Sequence, residues 1–563
     1  MVVDSAIRRR KVDLDFYLHR VFRKKSFRPL QRDVITAAVE GHDVFLQAST
    51  SFGKSLCFQL PAVVDHGVTV VICPLLALMT DQVTALQSLG VEVATINSTT
   101  SLSERREILA DLLSGHPHTR LLYVTPELCQ TETFRRNLQT IHAQGELARI
   151  AIDEAHCISE WGHDFRPAYK ELSWFKRTLQ NPPVPISALT ATATPRVRAD
   201  IINLLGLDPA HLKIFNTPSA RPNIHYEVRY LQHYADDPTD PQQSQVNDLV
   251  SWLKATHARR LARLRPSPSS SQPPLQPLSG IIYVPLRSIA ETLATALRNA
   301  WDFNILAEAY HAGLTSQDRT RIQSSWTSPF ASSSSSPSEP PQQPAFTIIV
   351  ATNAFGMGID NPHVRFVIHW TPPRSIEGFV QESGRAGRDG RAAASIIYYS
   401  GAERDRVLER LRRDVENAYN RRHVGVRASA EVSDKRANLR NLFARLQSFQ
   451  AVVRYCEGVR GCRHLVIRGV FGDGELEAMG SQVPPGSQMA NTSDVDGGGG
   501  GGGGGSPCDY ACDVCKEGRE GISRRKALMA SAGDMEGSVE EALEGTMQLM
   551  FSRIFPGGRL DGG

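Results

Sequence analysis

The chain lacks the features that would place it in a membrane or outside the cell. No run of about 18 apolar residues occurs in its 563 residues, so no spanning helix is expected. The opening segment, MVVDSAIRRRKVDLDF, has no apolar core for a secretory signal. Cysteine is sparse: nine residues, scattered at first and concentrated only toward the C-terminus. This is not the dense framework of a small secreted domain, and it points to a reducing compartment. Together these absences lead to the expectation of a soluble intracellular protein. One-sided charge is missing too. A formal net charge of +4 excludes a general basic field, so any nucleic-acid site has to be a local patch. The run Arg8-Arg9-Arg10-Lys11 has the composition of a nuclear address and equally of a solvated tail.

What is present suits a globular protein. Hydrophobic residues make up 41% and charged residues 22%, and the length has room for roughly three or four domains. From about residue 40 to 215, short apolar runs alternate with amphipathic segments. The runs Asp43 to Leu46, Val68 to Cys73, Leu121 to Val124, Ile150 to Ile152 and Ile186 to Leu189 read as buried strands. The rhythm resumes at Gly280 to Val284, Phe346 to Val350, Val364 to Ile368 and Ile396 to Tyr399. Such a pattern predicts an α/β chain with two tandem doubly wound parallel sheets and a nucleotide site in the cleft between them. Ser/Pro-rich stretches at 265–279 and 328–344 bury too little apolar surface to order, and read as inserts at one end of the second sheet. A run of glycines at 497–505 reads as a tether within the cysteine-rich region.

Three motifs carry chemistry. The stretch QASTSFGKSL (47–56) ends in Gly53-Lys54-Ser55, which follows a strand and opens a helix. Backbone N–H groups there attract phosphate, Lys54 adds a point charge, and the Ser55 hydroxyl can ligate Mg²⁺. Ala48 stands where the usual first glycine would be, and Ser51-Phe52 replaces flexible positions. That replacement is expected to strain the loop by about 1–3 kcal/mol if φ > 0 is needed there. The strand at 150–152 then delivers Asp153-Glu154-Ala155-His156 to its C-terminal end. One carboxylate can hold a metal's water shell while its neighbour orients the attacking water. Finally, QESGRAGRDG (381–390) puts Arg385 and Arg388 three apart, able to neutralise a transferring phosphoryl group; an exposed charged helix shows the same spacing.

These motifs, with FRPLQRDVI (27–35), CPLLALMTDQV (73–83), YVTPE (123–127), AIDEAHCISEWGHDFRPAYKEL (151–172), ALTATAT (188–194), AYHAGL (309–314) and IIVATNAFGMGIDNPHVRFVIHW (348–370), resemble the RecQ family of superfamily 2 DNA helicases. The resemblance runs from residue 27 to about 390 in the family's order, and WGHDFRP separates RecQ from other helicases. It implies two RecA-like domains, an ATP-binding one at 25–215 and a C-terminal one at 216–402, behind a tail at 1–24. ATP and Mg²⁺ are the implied cofactors and DNA the implied partner. Implied at the nucleotide are Arg28, Gln31, Thr50, Gly53, Lys54, Ser55, Asp153, Asp360 (with Gly358 in the same motif) and Gln381. Catalytic roles fall to Lys54, Asp153, Glu154, Arg385 and Arg388, and coupling roles to His156, Thr190 and Thr192. Lys24 stands where the family stacks an aromatic ring on adenine. Trp161, Phe165 and Arg166 match an aromatic-rich loop that senses single-stranded DNA. Aromatic faces stack on any base for about 1–3 kcal/mol, which suits that role, although two aromatics can also simply pack in a core.

Past the motor, residues 434–457 read as a helix, followed by Cys456, Cys462, Cys508, Cys512 and Cys515. Thiolates at this spacing suit a structural Zn²⁺ site. The family resemblance of YCEGVRGCRHLVIRGVFGDG implies Cys462, Cys508, Cys512 and Cys515 as ligands in a helical zinc-binding subdomain at 403–520, with Cys456 a further candidate. The remaining tail, 521–563, is too short for the winged-helix and HRDC domains many members carry. The expected activity is an ATP-dependent 3′→5′ DNA helicase of the nucleus. A degenerate helicase serving as a nucleic-acid-binding scaffold and an RNA helicase are the alternatives.

Overall fold

The computed structural model describes residues 12–50, 52–161, 165–231, 241–263, 276–300, 305–327, 344–356, 361–420, 428–459, 461–478 and 512–527. Outside them lie Ser51, Gly358, Asp360, Cys508, the basic run at 8–11, the glycine tract, and residues 265–275 and 328–343 of the two Ser/Pro-rich stretches.

Among the described residues, thirteen strands form two wholly parallel sheets. The first contains β1 (Asp43–Gln47), β2 (Val68–Ile72), β3 (Val93–Ile96), β4 (Leu121–Val124), β5 (Leu147–Ile152), β6 (Ile186–Thr190) and β7 (Leu212–Asn216). Their order is β3-β4-β2-β5-β6-β1-β7. The second contains β8 (Ile224–Tyr230), β9 (Leu278–Tyr283), β10 (Ile305–Tyr310), β11 (Phe346–Ala351), β12 (Val364–His369) and β13 (Ala393–Tyr399), ordered β10-β11-β9-β12-β13-β8. Leu278 and Ser279, at the end of the expected first insert, belong instead to β9, because Ser279 shares a buried hydroxyl contact with Thr347 of β11.

Helices cover both faces of each sheet, so the central strands bury both sides. Along β1, Val44 and Leu46 enter one core while Phe45 enters the other. Along β11, Phe346, Ile348 and Val350 face one core and Ile349 the opposite one. This period-two division explains why these strands read as continuous apolar runs.

A helical part follows the second sheet. Helices Gly401–Asn420 and Ala428–Glu457 pack as a hairpin, and Arg463–Val470, Asp473–Ala478 and Asp513–Ala527 complete it. This part covers the edge strand β8: the Val228 N–H donates to Asp513 Oδ2 (3.0 Å), and Arg525 donates to the Val228 carbonyl (3.1 Å). The exposed ladder of that edge is thereby satisfied by side chains.

Candidate nucleotide site and cysteine cluster

Because all strands run parallel, the chemistry-bearing loops leave the same edge of the first sheet. Neighbouring strands β5, β6 and β1 end at Ile152, Thr190 and Gln47. They deliver Asp153-Glu154, Thr190 to Thr192, and the 48–55 loop side by side.

In that loop Gly53 has φ +81°, where only glycine is unstrained, while Phe52 is absent from the residues with positive φ. Phe52 is buried in the core beside the loop, so the expected strain at this residue is not found. The Lys54 ammonium is buried and donates to the Ala48 carbonyl (3.1 Å). Ser55 precedes helix Leu56–Val64. From the flank, Gln31 Nε2 donates to the carbonyls of Phe52 (2.8 Å) and Gly53 (3.3 Å), and its Oε1 accepts from the Arg28 N–H (2.9 Å). Gln31 therefore grips the loop itself, with the Arg28 guanidinium beside Gly53. Lys24 is exposed.

Asp153 is buried, with Oδ1 accepting from the Glu154 N–H (3.0 Å) and Oδ2 3.5 Å from Gln82 Nε2. Burial, reinforced by the Glu154 charge and opposed by Lys54, pushes its carboxyl up to about 6. Glu154 is held in the left-handed region at φ +49°, and its Oε2 is buried without a hydrogen bond among the described residues. His156 Nδ1 lies 3.3 Å from that oxygen and also meets Thr190 Oγ1 at 3.0 Å. Thr190 Oγ1 in turn accepts from the Thr192 N–H (3.2 Å). A buried cation, a carboxylate pair and an oxygen lacking a donor fit a Mg²⁺-bound triphosphate. Asp153 and Ser55 would hold the metal, which would withdraw charge from the phosphates.

The second sheet supplies the opposite wall. Helix Ile376–Ser383 carries Gln381 and ends in a turn bearing Arg385 and Arg388. Arg385 is buried against the Tyr283 hydroxyl, and Arg388 is half-buried. Thr50 Oγ1 donates to the Gly384 carbonyl (3.3 Å), so the phosphate loop touches the arginine turn.

The aromatic-rich loop is engaged within the protein. Trp161 lies under the Arg196 guanidinium, 3.1 Å from the ring centroid, and packs on the hairpin cluster of Val415, Leu439, Leu442 and Phe443. Phe165 lies beneath Lys170, and Arg166 donates to the Pro74 carbonyl (2.6 Å). Glu160, next to Trp161, pairs with Arg440 of the hairpin (3.2 Å).

The sulfurs of Cys462, Cys512 and Cys515 lie within 4.8 Å of one another, the one such cluster among the described residues. Cys512 and Cys462 sulfurs are 3.9 Å apart. A zinc tetrahedron with bonds of about 2.3 Å has edges of about 3.8 Å, so the spacing fits. Hydrogen bonding to Cys512 pushes the Cys462 thiol up to about 12, whereas donation from Cys462 and Cys515 drives Cys512 toward its thiolate. Cys456 is not in this cluster; it is buried in the same core as Cys462 and Cys512, with its carbonyl accepting from the Tyr230 hydroxyl.

Comparison with known proteins agrees with this architecture. The DEAD/DEAH box helicase family matches residues 28–201, and the helicase conserved C-terminal domain family matches residues 276–390. ATP-dependent DNA helicase Q5 of Rattus norvegicus is 38% identical over 458 residues, covering 81% of this chain and 42% of that protein. RecQ-like DNA helicase BLM of Xenopus laevis is 36% identical over 456 residues, covering 81% of this chain and 28% of that protein. The chain belongs to the RecQ family. It spans less than half the length of either of these relatives. Among solved structures, the DUF1998 helicase MrfA bound to DNA matches with TM-score 0.52 at 15% identity, covering 78% of this chain and 56% of that one, a likeness of fold alone.

Some supports of this RecQ site had no assigned role in the sequence. Gln82 reaches Asp153, and its Oε1 accepts from both Tyr123 (2.9 Å) and Gln59 (3.3 Å). The Tyr169 hydroxyl donates to the Asp153 carbonyl (3.1 Å). Gln82 lies in CPLLALMTDQV (73–83), but nothing in its spacing shows which way its amide points.

The raised Asp153 carboxyl predicts a stability trade. The native state holds its proton more tightly than the unfolded chain, so the penalty is absent below pH 3.8 and complete above about pH 6. Asp153→Asn should therefore stabilise the metal-free protein by about 1–3 kcal/mol at pH 7.5. That gain should shrink as pH falls through 6. Urea melts at pH 7.5 and pH 5 read both values; a destabilised Asp153→Asn at pH 7.5 contradicts the assignment.

Proposed function

We propose that this chain is an ATP-dependent DNA helicase motor that couples Mg-ATP hydrolysis to 3′→5′ movement on single-stranded DNA and to duplex unwinding in nuclear repair and recombination. The observation carrying this reading is the Thr50–Gly384 contact, which joins the phosphate loop of one lobe to the arginine turn of the other. The motor would be divided as 25–215, 216–402 and a zinc-binding part at 403–520.

Lys54 and the N–H groups from Gly53 onward hold the β- and γ-phosphates, while Thr50, Arg28 and Gln31 flank the nucleotide. Glu154 orients the attacking water, and Arg385 and Arg388 offset the charge gathering on the γ-phosphoryl oxygens. His156, Thr190 and Thr192 carry the change at Glu154 to the neighbouring loop. Gln381 and Asp360 complete the second lobe's share. Cys462, Cys508, Cys512 and Cys515 would hold Zn²⁺, which would brace the helical part.

For DNA, the second lobe offers a pocket of about 670 Å³ of mixed polar and apolar lining at the C-terminal ends of β9, β10 and β11. Arg287, Ser288, Thr352 and Asn353 line it, and the helix Arg287–Asn299 starts there without a side-chain cap. Such a start attracts backbone phosphates. Trp161, Phe165 and Arg166 would sense the strand by exchanging their present protein contacts for bases. The DNA helicases among the relatives support this substrate. No helix of the described residues is long and apolar enough to cross a membrane.

ATP hydrolysis measured alone, with single-stranded DNA and with single-stranded RNA tests the reading. DNA should stimulate the rate at least about tenfold, with log affinity falling linearly against log salt. Absence of stimulation, or stimulation by RNA alone, overturns it.

A further inference from the structure

The stretch joining the two sheets, between β7 and β8, contains Arg221-Pro222-Asn223. The Arg221 side chain is buried and points into the arginine turn. Its NH1 donates to the carbonyls of Gly384 (3.0 Å) and Ala386 (2.9 Å), and its NH2 donates to that of Gly387. Asn223 Nδ2 donates to Gly387 (3.0 Å) and to Arg391 (2.8 Å). Gly387 adopts φ +58°, and a Cβ there would come within 2.6 Å of Asn223 Nδ2. The turn thus follows the connector with no room to spare.

The Gly384 carbonyl receives Arg221 and also Thr50 of the phosphate loop. One oxygen is therefore the meeting point of connector, phosphate loop and arginine turn. The Arg221 peptide is fixed from its other side, where the buried His464 Nε2–H donates to its carbonyl (3.2 Å) beside Cys462. A guanidinium presents five N–H donors in a rigid fork, whereas an ammonium is a point charge on a flexible stem. Three carbonyls spread along a turn call for the fork.

We propose that Arg221, assisted by Asn223, is a positioning residue that sets the arginine turn against the phosphate loop and so aims Arg388 at the transferring phosphoryl group. This rests on the catalytic role given to Arg388 above. A small misplacement of a catalytic group costs on the order of 100-fold without weakening substrate binding.

The test is a double-mutant cycle in the full chain, with Arg221→Lys, Arg388→Ala and both together. Read-outs are kcat and KM for DNA-stimulated ATP hydrolysis, binding of a fluorescent ATP analogue, and thermal unfolding. Arg221→Lys should lower kcat by about 100-fold while KM and analogue affinity stay within about threefold. In the Arg388→Ala background the same change should cost less than about twofold, because the group it aims is gone. Wild-type kcat in Arg221→Lys, or a full multiplicative loss in the double variant, overturns the proposal. If Arg388→Ala alone hydrolyses normally, the fault lies instead with the role given to Arg388. Should Arg221→Lys fail to melt cooperatively, Asn223→Ala replaces it in the same cycle and is judged by the same outcomes.

Discussion

Glu154→Gln should lower single-turnover ATP hydrolysis by on the order of 10³-fold while ATP binding stays within about threefold. Its carboxylate is buried, yet Oε2 has no hydrogen bond among the described residues. A buried carboxylate oxygen without a donor is costly, so its retention argues for a task rather than for packing. The backbone agrees. Glu154 sits at φ +49°, a conformation that costs a non-glycine residue about 1–2 kcal/mol. The strained residue follows directly on β5, and its Oε2 lies 3.3 Å from His156 Nδ1. Glutamine keeps the shape and the backbone strain but cannot accept a proton from water, so the loss should fall on the chemical step alone. Glu154→Gly makes a useful companion: it should abolish hydrolysis equally and melt no lower than Glu154→Gln, since it releases the left-handed strain. Rapid-quench measurement of phosphate release, beside analogue binding, reads both. A Glu154→Gln rate within threefold of wild type removes Glu154 from the chemistry.

How much of this was legible in the sequence depended on where each strand lies in its sheet. The continuous apolar runs correspond to β1, β2, β4, β5 and β6, and to β9, β11, β12 and β13, which are the interior strands. The four strands that no run announced, β3, β7, β8 and β10, are the four sheet edges. An edge strand packs against fewer neighbours and tolerates Lys213 in β7 or Glu308 in β10, so its pattern dissolves into mixed residues. The apolar signal measures burial on both faces more than it measures strand.

The site divides along similar lines. Lys54, Asp153-Glu154 and the arginine pair were readable because a local motif carries each one's chemistry. What holds them was not. Gln82, Tyr169 and Arg221 act on partners 71, 16 and 163 residues away in sequence. No local spacing encodes such distances; the stacking of parallel strands and the crossing between lobes create them. Cys456 shows the converse: a cysteine close in sequence to the cluster, carried on the helix Ala428–Glu457, keeps its sulfur out of it.

The cysteine cluster should show the other large effect. Cys512→Ser is expected to lose one equivalent of bound zinc per chain and to lower the melting temperature by more than about 10 °C, because structural zinc contributes on the order of 10 kcal/mol to small folds. Cys512 adjoins a buried ion pair. Its sulfur accepts from the Arg463 N–H (3.4 Å), and the next residue, Asp513, is fully buried. Asp513 holds the Arg463 guanidinium (2.9 Å) and caps the Val228 N–H of the edge strand β8. Releasing Cys512 would leave a buried ion pair without the geometry that compensates its desolvation. It would also uncover the edge of the second sheet. Cys456→Ala, by contrast, removes a sulfur from the core but no ligand, so it should keep its zinc and lose only about 1–2 kcal/mol of stability. Atomic absorption on dialysed protein, with thermal melts of both variants, separates the cases. A Cys512→Ser chain that retains zinc and melts within 2 °C of wild type would show that these thiolates brace nothing.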